Sequence, residues 1–211
     1  TYTITHIIAQ CTTNRTVVVN SVSATPSSIL TSANPLCPGQ SVTLQRSGGA
    51  LGNSASWYWY SGSCGGTFLG NGESITQTPL ATTTYYVRAE GGSCGTTSCA
   101  SVTVTVQNNS SNPTGATASP TSVCGSIASS NLQVTGTLGT GASWNWYTGS
   151  CGGTFVNTGQ SINVNPTSLT TYFVRAIGTC NTTLCTSVDV TGQSSSTAPS
   201  ASAVNPTICA G

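Results

Sequence analysis

The sequence predicts an all-β chain of tandem, disulfide-stabilised β-sandwich domains, and three observations carry that prediction. A block at 56–68, with Trp57-Tyr58-Trp59-Tyr60 and Cys64-Gly65-Gly66-Thr67-Phe68, returns at 143–155 as Trp144-Asn145-Trp146-Tyr147 and Cys151-Gly152-Gly153-Thr154-Phe155. Apolar and polar residues alternate in Ser41-Val42-Thr43-Leu44 and in Val102-Thr103-Val104-Thr105-Val106, and no stretch carries a helical period. Ten cysteines, an even number, occur in a chain with 3 % charged residues and 70 Ser and Thr among 211, which reads as a disulfide framework in an oxidising compartment.

The repeat sets the domain organisation. The offset of 87 also links Cys37 to Cys124, Pro79 to Pro166, Tyr85 to Tyr172 and Arg88 to Arg175. It falls to 86 for Cys94 to Cys180 and Cys99 to Cys185, so one residue is deleted between Tyr172 and Cys180. Thr1-Tyr2 matches Thr84-Tyr85, Cys11 follows at the Cys94 position, and Asn205-Pro206 through Cys209 echoes Asn34-Pro35 through Cys37. The expected divisions are the last strands of a preceding repeat (1–20), full repeats at 21–108 and 109–195, and the start of another at 196–211. The chain thus reads as a window on a longer array. Asn108 to Pro113 and Gln193 to Pro199 read as linkers short enough to favour end-to-end neighbours.

Within a repeat, strand B is expected near 41–46, C near 56–61, E near 73–77, F near 84–90 and G near 100–107, with Gly, Asn, Ser and Pro clusters between them. Short strands, a Trp on a mid-chain strand and a Tyr opening a late one point to an immunoglobulin-like sandwich. Residues two apart share a face, so Trp57 and Trp59 are expected in the core, with Tyr85, Val87 and Ala89 from strand F. Tyr85 reads as a tyrosine corner. With C beside F, the residues Tyr58, Tyr60, Tyr86 and Arg88 form a candidate interaction face, repeated as Asn145, Tyr147, Phe173 and Arg175. That face has two readings: stacking on a sugar or a neighbouring chain, or Arg88 lying over an aromatic ring. The second is preferred; such a contact contributes about 0.5–1 kcal/mol when exposed. The change from Tyr58 to Asn145 counts against a selected sugar platform.

The disulfide candidates are Cys37, Cys64, Cys94 and Cys99, and Cys124, Cys151, Cys180 and Cys185. A fragmentary first copy with Cys11 but Thr16 at the Cys99 position favours Cys37–Cys94 with Cys64–Cys99, and Cys124–Cys180 with Cys151–Cys185. The expected poles of the sandwich favour Cys37–Cys64 with Cys94–Cys99 instead, and both schemes stay open. Metal is the weaker reading: no C-x-x-C occurs, and His6 is the single histidine.

Several function classes are excluded. Four Arg and no Lys cannot make a nucleic-acid surface, and no apolar run is long enough for a transmembrane segment. No signal peptide, lipidation motif or sorting tail is visible. Glu73, Glu90 and Asp189 are the only carboxylates and are not equivalent between copies, so neither an enzyme nor a calcium site is expected. No cofactor is expected. His6 reads as a surface or linker-facing residue. The Asn-glycosylation patterns at Asn14, Asn108, Asn109 and Asn181 read as chance.

Cys37-Pro38-Gly39-Gln40-Ser41-Val42-Thr43-Leu44, Trp57 to Tyr60, Gly70-Asn71-Gly72-Glu73-Ser74-Ile75, Pro79 to Val87 and Ser101 to Val106 together resemble the Ig-like repeats of secreted Bacteroidetes surface proteins, with gliding-motility adhesins among them. The resemblance covers nearly the whole chain. It implies type IX export and a structural repeat region of an extracellular, cell-surface adhesin or filament. The partners it implies are neighbouring repeats, other copies in a fibre, or glycans. The alternative it leaves is a carbohydrate-binding accessory module of a secreted polysaccharide-active protein.

Overall fold

The computed structural model describes residues 2–8, 11–92, 94–124 and 128–193. The expected following repeat at 196–211, with Cys209, lies outside them, as do the side chains of His6 and Cys11. The chain divides into two units, Thr1–Asn109 and Ser110–Gly211, and the described residues are all-β. Unit 1 opens with an antiparallel hairpin of β1 (Tyr2–Ile8) and β2 (Cys11–Val17).

The sandwich of unit 1 follows as β3 (Ser28–Thr31), β4 (Val42–Ser47), β5 (Ala55–Ser61), β6 (Thr67–Asn71), β7 (Ser74–Gln77), β8 (Thr83–Gly91) and β9 (Ala100–Val104). One sheet has the order β3-β4-β7, the other β6-β5-β8-β9. The expected strands B, C, E, F and G are thus β4, β5, β7, β8 and β9. Two short strands escaped the sequence reading: β3, and β6, whose Gly70 and Asn71 read as turn.

Unit 2 has β10 (Gly115–Ser119), β11 (Ser122–Cys124), β12 (Ser130–Thr135), β13 (Ser143–Thr148), β14 (Thr154–Thr158), β15 (Ser161–Val164), β16 (Thr170–Ile177) and β17 (Thr186–Gln193). Its sheets run β10-β12-β15 and β11-β17-β16-β13-β14. Here β11 lies parallel to the end of β17. In unit 1 the same connection is a single parallel bridge, Leu36 to Val106.

The strict alternation of β4 and β8 makes the cores. Val42 and Leu44 face Trp57, Trp59, Tyr85, Val87, Ala89 and Val104, all buried. Leu132, Val134, Trp144, Trp146, Tyr172, Val174, Ala176 and Val190 repeat that cluster in unit 2. Both inner Trp rings keep a polar tie: Trp59 Nε1 donates to Gly72 O and Trp146 Nε1 to Gly159 O, each at 2.9 Å. The same glycines donate back to Trp57 O and Trp144 O. Their φ of 116° and 137° is a region side chains avoid, which explains a glycine after Asn71 and Thr158. Tyr85 is buried.

The stretch read as a linker at 108–113 is partly built into unit 2. Ser110 is buried; its N donates to Asn181 Oδ1 at 2.9 Å, and Asn181 Nδ2 returns to Ser110 O at 2.8 Å. Asn112 Oδ1 accepts from Leu184 N. Asn181 therefore has both ends of its amide engaged, which also explains the glycosylation pattern there as a structural asparagine.

Candidate interaction face

Strand pairing assembles the expected face. Tyr58 is opposite Arg88 and Tyr60 opposite Tyr86; in unit 2, Asn145 is opposite Arg175 and Tyr147 opposite Phe173. The face is not open, however. Tyr60 is 8 % and Tyr147 7 % exposed, although alternation places both on the outer side of the sheet.

Arginine and the connection between β5 and β6 cover them. The Arg88 guanidinium carbon stands 5.2 Å from the Tyr60 ring centre, and Arg175 stands 5.2 Å from that of Tyr147. Above Arg88 lie Gly65 and Cys64, with Nη1 donating to Cys64 Sγ at 3.7 Å. A Cβ on Gly65 would come 2.9 Å from an Arg88 nitrogen, and one on Gly152 2.7 Å from Arg175. Both glycines have φ near +80° (79° and 78°), so close approach and backbone turn together require Gly in Cys-Gly-Gly.

Disulfides pin that covering loop. Cys64 bonds Cys99 and Cys151 bonds Cys185, with Cα atoms 5.9 and 5.8 Å apart. The bridge is possible because the loop folds back over β8, while Cys99 immediately precedes Ala100, the partner of Val87. This fold-back defeats the pole argument for Cys37–Cys64 with Cys94–Cys99.

The other expected pairs, Cys37–Cys94 and Cys124–Cys180, do not form: Cys94 and Cys124 are free, exposed thiols. The reason is length. Cys37 follows Leu36 at the Val106 end of the sheet, whereas Cys94 lies beyond the far end of nine-residue β8. That separates them by about 26 Å at a strand's rise, against the roughly 7 Å a bridge tolerates. Cys37 and Cys180 are nonetheless disulfide-bonded.

The two copies complete the face differently. In unit 1, the Tyr60 hydroxyl and Arg88 Nε both donate to Glu90 Oε1, the latter at 2.6 Å. Burial would raise the Glu90 carboxyl, but the hydrogen bonds from Tyr60 and Arg88 outweigh it and hold it below its ordinary value. Tyr60 is pushed up, first by burial and then by the bond to Glu90. Glu90 likewise raises Arg88. In unit 2, Ile177 stands at the Glu90 position, and Arg175 Nε is buried without an acceptor.

Sequence reasoning missed Phe68 and Phe155, which are 55 % and 56 % exposed. Phe68 packs edge-on to Tyr60 at 5.9 Å and tilted to Tyr58 at 5.8 Å; Phe155 meets Tyr147 at 6.0 Å. The repeated Cys-Gly-Gly-Thr-Phe motif was the available signal.

A depression of about 260 Å³ is lined by Leu51, Ser56, Trp57, Asn71, Gly72 and Glu73. Glu73 pairs with Arg46 at 2.6 Å, and Arg46 lies over Trp57 at 4.7 Å. In unit 2, Gln133 and Gln160 replace that ion pair. Among the described residues no cluster of three or more His, Cys, Asp or Glu could hold a metal, and no helix is long and apolar enough to cross a membrane.

A family model described as "Ig-like domain CHU_C associated" matches residues 24–107 and 111–193. No curated protein matches the chain. Solved structures similar to it include murine CEACAM1b, at 12 % identity and TM-score 0.45, covering 79 % of this chain and 98 % of that one. Fibronectin(III)-like modules of Clostridium thermocellum CbhA match at 9 % identity and TM-score 0.41, covering 79 % and 94 %. The FN1–FN3 domains of chicken CNTN1 match at 12 % identity and TM-score 0.39, covering 80 % and 67 %.

Proposed function

The chain belongs to the family of Ig-like domains described as CHU_C associated, and from that premise we propose that its repeats are spacer modules of a long extracellular adhesin or filament at a cell surface. Disulfide-bonded Ig-like domains fit an exported protein, and type IX export belongs to this proposal. One observation carries it. The groups kept in both copies serve internal cohesion: the Trp–Gly ties, the pinned loop, and Arg over Tyr. Several outward or rim groups change between copies, as Tyr58 to Asn145, Glu90 to Ile177 and Arg46 to Gln133 do, while exposed Phe68 is kept as Phe155. A module selected for length needs the first set and tolerates drift in the second.

The test is single-molecule pulling of the oxidised and reduced chain. In the reduced chain each Ig-like repeat gives a distinct rupture, and reduction releases at least the locked 35- and 34-residue loops, about 12 nm apiece, together with any length held by the bonds of Cys37 and Cys180. Featureless extension without ruptures overturns the spacer reading. The exposed Phe68 and Phe155 favour a second reading, a carbohydrate-binding accessory module with a planar aromatic for a sugar ring. Saturable binding on a glycan array, lost in Phe68→Ala and Phe155→Ala, would favour it instead.

A further inference from the structure

Each repeat holds four cysteines, and two of them bridge within it, Cys64 to Cys99 and Cys151 to Cys185. The remaining positions lie at opposite ends. Cys94 follows β8, and its thiol donates to Asn20 O at 3.8 Å, just ahead of the first sandwich. Cys124 closes β11, and its thiol donates to Gln193 Oε1 at 3.4 Å, on the last residue of β17. One free thiol therefore marks where the chain enters a repeat, and the other where it leaves.

Their equivalents behave differently. Cys180, at the position of Cys94, and Cys37, at the position of Cys124, are both disulfide-bonded. Neither is bonded to another of the four cysteines of its own repeat, because Cys94 and Cys124 are free and the others pair among themselves. Both positions thus make bridges beyond the four-cysteine set in one copy, and stand exposed and unbonded in the other.

We propose that Cys94 and Cys124 are complementary cross-link sites: the entry-side thiol of one repeat forms a disulfide with the exit-side thiol of another, here a second copy of this chain. Each full repeat carries one cysteine of each kind. Joining unlike ends is heterologous and open-ended, so it propagates along an array with every repeat in one direction, whereas a like-with-like joint is isologous and reverses the direction. With glutathione disulfide as oxidant, the Cys94 thiolate attacks it and expels one glutathione thiolate. The Cys124 thiolate of the second molecule then attacks the Cys94 sulfur of the mixed disulfide and expels the other. Two protein thiols lose two protons and two electrons, and one glutathione disulfide becomes two glutathiones. The site goes beyond the spacer reading and does not depend on it, because it concerns covalent joining and not resistance to force.

The test is incubation of the full chain in a glutathione redox buffer, then a non-reducing gel and mass-spectrometric mapping of disulfide-linked peptides. The proposal expects a ladder of oligomers in which Cys94–Cys124 links exceed each like-with-like link by about tenfold or more, as a heterologous contact requires. Random joining gives only about twice as many unlike links, since unlike pairs can form in two ways. Cys94→Ser and Cys124→Ser, both at exposed positions, each abolish that link while retaining Cys64–Cys99 and the native circular dichroism. Links at the random ratio, an excess of Cys94–Cys94 or Cys124–Cys124, or both thiols recovered free or glutathionylated would overturn it.

Discussion

Replacing Glu90 by Ile gives unit 1 the residue that unit 2 carries at Ile177. The substitution takes away the acceptor shared by the Tyr60 hydroxyl and Arg88 Nε and leaves a buried donor on Tyr60 and a half-buried one on Arg88 without that partner. A hydrogen bond to a charged group is worth about 1.5–3 kcal/mol. Arg88 and Glu90 side chains are 24 % and 23 % exposed, so solvent screening lowers the net cost to about 1–2 kcal/mol. With a urea slope near 1 kcal/mol per molar for a small domain, the midpoint of unit 1 falls by about 1–2 M. The chain's four Trp, two per repeat, allow each unit to be followed separately by fluorine NMR of fluorotryptophan-labelled protein, with unit 2 as internal control. The effect depends on pH. Because the Glu90 carboxyl is held below its ordinary value of 4.5, its contribution is complete above that value and is lost as pH falls through the lowered one. The gap between wild type and Glu90→Ile therefore closes in acid. An unchanged midpoint at neutral pH, or a gap that persists undiminished in acid, refutes the assigned role of the carboxylate.

The reverse change, Ile177→Glu, supplies an acceptor to buried Arg175 Nε and raises the unit 2 midpoint by about 0.5–1 M at neutral pH, read by the same NMR titration. Cys64→Ser with Cys99→Ser opens a loop of 35 residues and costs unit 1 about 3–4 kcal/mol, measured by calorimetry against the intact chain. Gly72→Ala forces a side chain into φ 116° and disturbs the carbonyl held by Trp59, costing about 1–3 kcal/mol, seen as a lower unit 1 midpoint. Burial raises the Tyr85 and Tyr172 hydroxyls above 10.0. Their contribution is complete below that value and is lost as pH rises through the raised one, so ultraviolet titration finds both phenolates appearing together with alkaline unfolding.

The inner faces were legible because period-two alternation in β4, β5 and β8 leaves no other way to bury Trp57, Trp59 and Val87. The short strands β3 and β6 were not, because exposed edge strands lose that alternation: Phe68 faces solvent and Gly70 reads as turn. Strand neighbours C and F were enough to group Tyr58, Tyr60, Tyr86 and Arg88. Their closure was hidden, since it depends on a loop folding back over the sheet, a tertiary event with no sequence period. The cysteines divide in the same way. The Cys37–Cys94 expectation treated a repeat as a closed set of four, and the span of β8 forbids that pair.

The loop bridge also bears on how neighbouring copies avoid exchanging parts while they fold. The β5 and β13 segments share Ser-Trp, a second Trp and Tyr in the same places, so each could be accepted by the β8- or β16-type strand of the other repeat. Interdomain misassembly of this kind is a characteristic failure of repeat proteins. Cys64–Cys99 and Cys151–Cys185 each join the segment after the central Trp strand to the segment before the last strand of the same copy, 35 and 34 residues on. Once closed, such a bridge makes a swap topologically costly.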